Sequence, residues 1–384
     1  MERRGFIKVM ATGGAVAMFP AAMSSCSTGD VKPAKAVKNN YRDIRLKLIS
    51  YAMLAPSSHN IQPWLVRLTG SDGFDLYVDQ DRLLPKADPP ARQIHISQGT
   101  FLETFRIAAS NFGYRVDLDY FPQGEYSNQT VENKPVASVR LVPDSAIKPD
   151  PLFQLLTVRH SNKRGYEDQP IPASDLQAIR TVKTADGIEL FADGSTQLKS
   201  RLAPILGKGM AIEASDVERN KELAKLFRFN EQEAIATGDG FTVANSGTTG
   251  FMRFIVEKFF LGTRKEAAAV DSSFAKEGVK ATYKQAETVA AFGWILTKSN
   301  TRLDQVETGQ IYARINLLTA KLGIAQHPMS QILEEYEDMR PLQQEFLNLL
   351  EIPQGSTVQM LYRLGYAEKT PPTRRRSVKD ITLT

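Results

Sequence analysis

Residues 55–64 read Ala55-Pro56-Ser57-Ser58-His59-Asn60-Ile61-Gln62-Pro63-Trp64. Proline near each end restricts the backbone, and hydroxyls and amides crowd between, so the stretch is a tight polar turn. Upstream, residues 41–54 have helical spacing, with Ile44, Leu48, Tyr51 and Ala52 on one stripe. Downstream, residues 64–68 and 74–78 predict two strands around the glycine turn at 70–73. The turn therefore joins a helix to a sheet. Its hydroxyls, amides and free backbone groups suit the hydrogen-bonding edge of a planar heterocycle.

Working outward, a loop at 85–90 precedes a helix over about 92–112, and strands follow near 116–120 and 137–141. A second unit opens near Pro149 with a short helix to Val158, a helix over about 173–182 and a strand at 188–191. Residues 194–285 are mostly helical, with an irregular glycine-containing stretch near 238–250. A strand at 290–297, an amphipathic helix at 310–322 and a last strand at 360–366 complete the order. A shift of 210 positions lays Phe101, Phe105, Ala108, Ala109 and Phe112 on Ile311, Ile315, Leu318, Thr319 and Leu322. Each stripe stops at a glycine, Gly113 or Gly323, as helices commonly do. The two units read as relatives.

Composition is that of an ordinary globular chain, with 384 residues, 42% hydrophobic and 24% charged. A net charge of +5, with no basic run interleaved with aromatics, argues against a nucleic-acid partner. Arg3 and Arg4 precede an apolar run over 9–22, then small residues before Cys26. That pattern predicts an export signal over 1–25, and Arg3-Arg4 with Phe6 and Lys8 resembles the twin-arginine type, which carries proteins already folded. Cys26, the single cysteine, is a lipidation candidate; plain cleavage nearby is the alternative. Residues 26–40 read as a flexible stalk. The expected location is the periplasm, free or as a membrane-anchored lipoprotein, with a lipid anchor the only membrane contact.

Two further clusters carry charge. Arg159-His160-Ser161-Asn162-Lys163 places two cations and a hydroxyl together, a set suited to an anionic ligand. Arg374-Arg375-Arg376 follows the last strand and offers a second cation source, although such a triplet is more often a solvated tail. The histidines lack metal-ligand spacing, no hydrolase motif stands out, and Glu334-Glu335 reads as the solvated face of a helix.

At these residues the chain resembles the FMN-dependent nitroreductase superfamily. Pro56-Ser57-Ser58-x-Asn60-x-Gln62-Pro63-Trp64 matches that family's turn at every fixed position. Arg159-x-Ser161-x-Lys163, Leu322-Gly323-Ile324 before Pro328-Met329, and Leu364-Gly365-Tyr366 before Arg374 match three shorter motifs. The order departs from ordinary members, in which the cationic segment precedes the Pro-Ser-Ser turn. In the family the flavin lies between two subunits, one supplying each element. The reversed order resembles the Acg-like branch, in which one chain folds as a fused pseudo-dimer.

The resemblance implies an α+β, nitroreductase-like fold of two related halves, each with an antiparallel-rich sheet flanked by helices. The halves would cover 41–148 and 149–384, with a helical lid insertion at about 200–285. It implies one FMN per chain, the second pseudo-symmetric site being degenerate. Arg159, Ser161 and Lys163, with Arg374 or Arg375, would hold the phosphate and ribityl chain. Pro56, Ser57, Ser58 and Asn60 would border the ring, and backbone N–H groups near Ser330 and Gln331 would face its N5 atom. Hydride would pass from a small-molecule donor to a nitro-aromatic, quinone or similar acceptor, with no side-chain acid or base required. The alternative is a closed pocket that holds FMN without turnover. Pairing of two such chains into a homodimer is left open.

Overall fold

The hairpin expected around Gly70 pairs β1 (Trp64–Thr69) with β2 (Gly73–Val78), Trp64 opposite Val78 and Thr69 opposite Gly73. Gly70 takes φ +52°, a left-handed conformation that glycine adopts without a Cβ penalty. The computed structural model describes residues 40–383 apart from 260; the export segment, the stalk to residue 39 and Cys26 lie outside the described residues.

β3 (Tyr114–Tyr120) and β4 (Ala137–Pro143) extend the first sheet in the order β3-β4-β2-β1. The second sheet contains β5 (Ile188–Asp193), β6 (Ala291–Thr297), β7 (Ala325–Pro328) and β8 (Thr357–Gly365), antiparallel throughout, in the order β5-β6-β8-β7. Counted from its other edge, that order is β7-β8-β6-β5. Each strand thus occupies the place of the strand four earlier in the first sheet. The α+β class expected from the sequence, two related antiparallel sheets with helices, is what the chain adopts.

Two twenty-residue helices lie between the sheets: α2 (Arg92–Asn111) and α10 (Arg302–Lys321). In α10 a capping box between Thr301 and Asp304 satisfies the first turn. Gly113 and Gly323 follow the two helices at φ +79° and +72°, the left-handed stop anticipated from the repeat. The helices cross at Gly99 and Gly309. A Cβ on Gly99 would sit 1.8 Å from the Val306 carbonyl oxygen, and one on Gly309 1.9 Å from that of Ile96.

Around this pair, Phe101 and Phe105 of α2 pack on Trp64, Val66, Phe74 and Leu76 of the first sheet and on α1 (Ile44–Ala52). The opposite face of β1 and β4 carries exposed Arg67 and Arg140, so that sheet is covered on one side. The second sheet is covered on both. Every residue of β6 is buried, with Phe292, Trp294 and Leu296 entering one apolar cluster and Ala291 and Ile295 another. α3 (Ala173–Arg180) and α10 form the second cluster; the first comes from α4 (Thr196–Ala214) and α11 (Arg340–Leu349).

The connection that is a short turn between β1 and β2 becomes residues 194–290 between β5 and β6. Here lie α4, α5 (Val217–Leu226), α6 (Glu231–Thr237), α7 (Gly250–Phe259), α8 (Arg264–Ala267) and α9 (Ser273–Glu287). After β8 the chain returns to the first sheet. α12 (Val378–Ile381) buries Val378 and Ile381 in the first core, and β9 (Thr382–Leu383) pairs in parallel with β1.

Three local expectations need correction. The short helix before Val158 is a single 3-10 turn, Phe153–Leu155. Glu334 is not on a solvated helix face: it follows a 3-10 turn and is 6% exposed. The arginine triplet is no free tail, because Arg374, Arg375 and Arg376 are all partly buried and hydrogen-bonded.

Candidate functional site

The turn after α1 is held in a strained form. His59, Asn60 and Gln62 take φ +46°, +55° and +52°, uncommon for residues with a Cβ and enriched at functional sites. Buried hydrogen bonds fix it. The Ser57 hydroxyl accepts from the Gln62 N–H at 3.1 Å, and Gln62 Nε2 donates to the Gly238 carbonyl at 2.8 Å. Asn60 Nδ2 donates at 2.9 Å to the carbonyls of both Gly240 and Arg374. One asparagine thus ties the turn to the insertion and to the C-terminal segment.

The cationic segment is positioned by α10 and β8. Arg159 donates to Asn316 Oδ1 at 2.7 Å and to the Leu54 carbonyl at 3.0 Å. Arg363 donates to the carbonyls of Arg164, at 2.7 Å, and Asn162, at 3.2 Å. Lys163 Nζ lies 3.9 Å from the centre of the Phe241 ring, a cation–π contact with the insertion. Arg375 bonds Asn60 Oδ1 and reaches toward the same Leu54 carbonyl at 3.4 Å.

These elements enclose one cavity. Pro56, Ser57, Ser58, Asn60, Arg159, Ser161, Lys163, Ser330, Gln331 and Arg375 all line it. Arg374 does not; its guanidinium pairs with Glu231 of α6. Unforeseen lining comes from Gln93, Ser97 and Thr100 on α2 and from Tyr312 and His327. Phe241 and Asn245 of the insertion also contribute, as do residues 371–373 of the tail. Ser97 and Thr100 lie close to Gly99 in a helix whose apolar stripe was the visible signal, and that stripe says nothing of its polar face. Tyr312 lies in α10 and His327 in β7, and the others come from the insertion and the tail, with no local pattern to mark them.

Electrostatics points one way. Arg159, Lys163 and Arg375 border the cavity, and no lining residue is an Asp or Glu. Burial lowers the Lys163 ammonium to about 8, and the charge of Arg363 pushes the same way. Burial, then the neighbouring Arg159, brings Arg375 down to about 9, and burial brings Arg159 to about 10. His59 is lowered to about 4 by burial and Lys163, and His327 falls well below its usual value, so neither is a cation at neutral pH. Clustered cations without a counter-charge are stabilised by an anion in their midst.

Three residues that line the cavity also carry donors without partners. Gln93 Nε2, the Tyr312 hydroxyl and Arg375 Nε are buried and make no hydrogen bond among the described residues. Native proteins seldom leave buried donors so, and their presence on lining residues fits an acceptor-rich ligand carrying an oxyanion. Arg159, Ser161, Lys163 and Arg375 suit the phosphate of FMN, while the serines and amides of the turn, with Ser330 and Gln331, suit a heterocycle.

The 210-residue shift maps Ser330 onto Tyr120 and Thr100 onto Gln310. At those equivalent positions the Tyr120 hydroxyl donates to Gln310 Oε1 at 2.8 Å. Side chains that border the cavity on one side of the pseudo-symmetry are bonded to each other on the opposite side.

Fold and site together define a class: a two-repeat α+β protein with a cation-lined cavity on its internal seam. The chain is similar to several known proteins. A Mycobacterium tuberculosis (strain H37Rv) protein, provisionally named an NAD(P)H nitroreductase, is 23% identical over 362 residues, 92% of this chain and 95% of its own length. PigM of Serratia, provisionally named in the same way, is 23% identical over 53% of this chain and 56% of its own. Among solved structures, the FMN-dependent nitroreductase NfnB of Mycobacterium smegmatis, in complex with NADPH, matches 60% of this chain and 96% of its own, with 17% identity and a TM-score of 0.38. No protein-family model matches the chain.

Proposed function

We propose that the chain is an FMN-binding oxidoreductase of nitroreductase type. It would take electrons from a small-molecule donor such as NAD(P)H and pass them to a nitro-aromatic, quinone or similar acceptor. The observation that carries this reading is the carboxylate-free cavity where Arg159, Lys163 and Arg375 meet the Pro56–Asn60 turn across the seam of the two repeats. The full-length mycobacterial relative, by its name, supports the activity. Bound FMN supplies reversible two-electron chemistry.

The chain's own residues bind and orient. Arg159, Lys163 and Arg375 would neutralise the phosphate, with Ser161 as a hydroxyl partner. Ser57 and Ser58 of the first repeat, with Ser330 and Gln331 of the second, would hold the heterocycle. Phe241 and Asn245 make the insertion part of the wall, so access runs past it. Asn245 Nδ2 donates to the Pro371 carbonyl at 2.9 Å, tying insertion to tail beside the cavity. That bond favours the second reading, a closed pocket that keeps FMN without turnover.

Steady-state oxidation of NADPH with nitrofurazone or menadione separates the two. Turnover of many equivalents per chain supports the oxidoreductase. A flavin that dithionite reduces but neither acceptor reoxidises faster than air does supports the closed pocket. We also propose that residues 1–25 export the folded chain by the twin-arginine route and that Cys26 is acylated. Retention of an Arg3→Lys, Arg4→Lys variant in the cytoplasm is expected; unchanged export of that variant would exclude the route.

A further inference from the structure

We propose that Tyr312 is a hydrogen-bond donor to the phosphate-bearing end of the ligand, an inference that rests on the FMN reading above. Tyr312 lines the cavity from within α10 and is 2% exposed, and its hydroxyl is buried without a partner among the described residues. Asn316, one turn further along the same helix, accepts from Arg159 at 2.7 Å. Residues four apart share a helix face, so the phenol and the guanidinium address the same end of the cavity.

The repeat supplies an independent comparison. The 210-residue shift places Leu102 opposite Tyr312. Leu102 is fully buried in the first core. The same helix register therefore carries an apolar side chain where it meets core and a phenol where it meets the cationic cavity. Packing alone would be served by leucine. Burial also holds the Tyr312 phenol far above its usual range, so the hydroxyl keeps its proton and remains a donor. A neutral donor beside a cation, with no carboxylate nearby, suits an oxyanion that already engages the cation.

Neighbouring groups do not answer for the hydroxyl. Tyr362 stands 5.8 Å away, ring centre to ring centre, and its own hydroxyl is likewise unpartnered, but it does not line the cavity. Arg159 spends two donors on Asn316 and Leu54. Tyr312 is the neutral side chain that completes this end of the site.

The test is Tyr312→Phe in the full chain, stripped of flavin and titrated by fluorescence with FMN and with riboflavin, which lacks the phosphate. FMN Kd should rise about tenfold, the usual scale for a hydrogen bond to a charged group, while riboflavin Kd matches wild type. The flavin-free variant should melt no lower than wild type, since it loses an unsatisfied buried hydroxyl. Unchanged FMN Kd, equal weakening of both ligands, or a lower melting temperature would overturn the assignment. Wild-type protein that binds neither flavin would instead remove the FMN reading; wild type that binds FMN alongside an indifferent variant removes only the role of Tyr312.

Discussion

Gly99 and Gly309 face each other where α2 crosses α10, and each leaves room for the backbone of the other: a Cβ on either would come within 1.9 Å of a carbonyl oxygen or closer. The carbonyls concerned, Val306 and Ile96, are themselves 210 positions apart, as the glycines are. The contact is therefore its own image under the pseudo-symmetry that relates the two repeats. It sets how close the halves come, and so how the Pro56 turn of one approaches the Arg159 segment of the other.

Gly99→Ala or Gly309→Ala should destabilise the protein by about 3 kcal/mol or more, because the obstructing atoms are backbone and cannot rotate away. Gly113→Ala, where nothing lies within 4 Å and only the positive φ opposes the change, should cost about 1 kcal/mol. Urea unfolding of the three variants checks this. Equal losses would mean that the helix crossing is looser than described.

Replacing both Arg159 and Lys163 by Ala should yield protein that purifies colourless. Loss of two phosphate contacts weakens binding on the order of a thousandfold. A folded double variant that keeps stoichiometric flavin would place the phosphate elsewhere.

Anion affinity should fall in alkali. Below about pH 8 the Lys163 ammonium is charged before binding. Above that value the free protein has lost the proton and must recover it to bind an anion, so affinity drops by up to tenfold per unit. Lys163→Met should flatten this limb between about pH 8 and 9, above which Arg375 also titrates. An FMN titration series from pH 7 to 10 reads the slope; a limb that survives in the variant would exclude Lys163 as its source.

Glu213 and Glu334 make stability depend on pH in the opposite sense from a paired carboxylate. Burial raises Glu213 to about 7, and burial with the charge of Asp88 raises Glu334 well above its usual value. Arg92, Arg219, Glu335 and Tyr336 face the same cluster. A raised carboxyl binds more protons when folded, so its stabilisation is full below about 4.5 and lost as pH rises through 7. Melting temperature should decline from pH 5 to 8, and Glu213→Gln should lessen the decline and melt higher than wild type at pH 8. A flat wild-type profile would contradict this.

Much of this architecture was legible in residue order alone. The stripes ending at Gly113 and Gly323 exposed the repeat, and the Pro56 and Arg159 segments, more than a hundred residues apart, do line one cavity. What escaped has a physical reason. Asn60 works by reaching Gly240 and Arg374, 180 and 314 positions away, and no local pattern encodes such partners. Glu334 carries a charge that normally marks surface, and only the fold shows it buried beside Asp88 and Glu213. The return of the tail to pair with β1 rests on a two-residue strand, too short for alternation to reveal.

The most direct test of the central claim is the quantity of FMN released per chain when the purified protein is heat-denatured. One equivalent is expected, because the cations Arg159, Lys163 and Arg375 gather at one cavity while the positions equivalent to Ser330 and Thr100, Tyr120 and Gln310, are bonded to each other. A folded chain that releases no flavin and takes none up, or one that carries two, would contradict it.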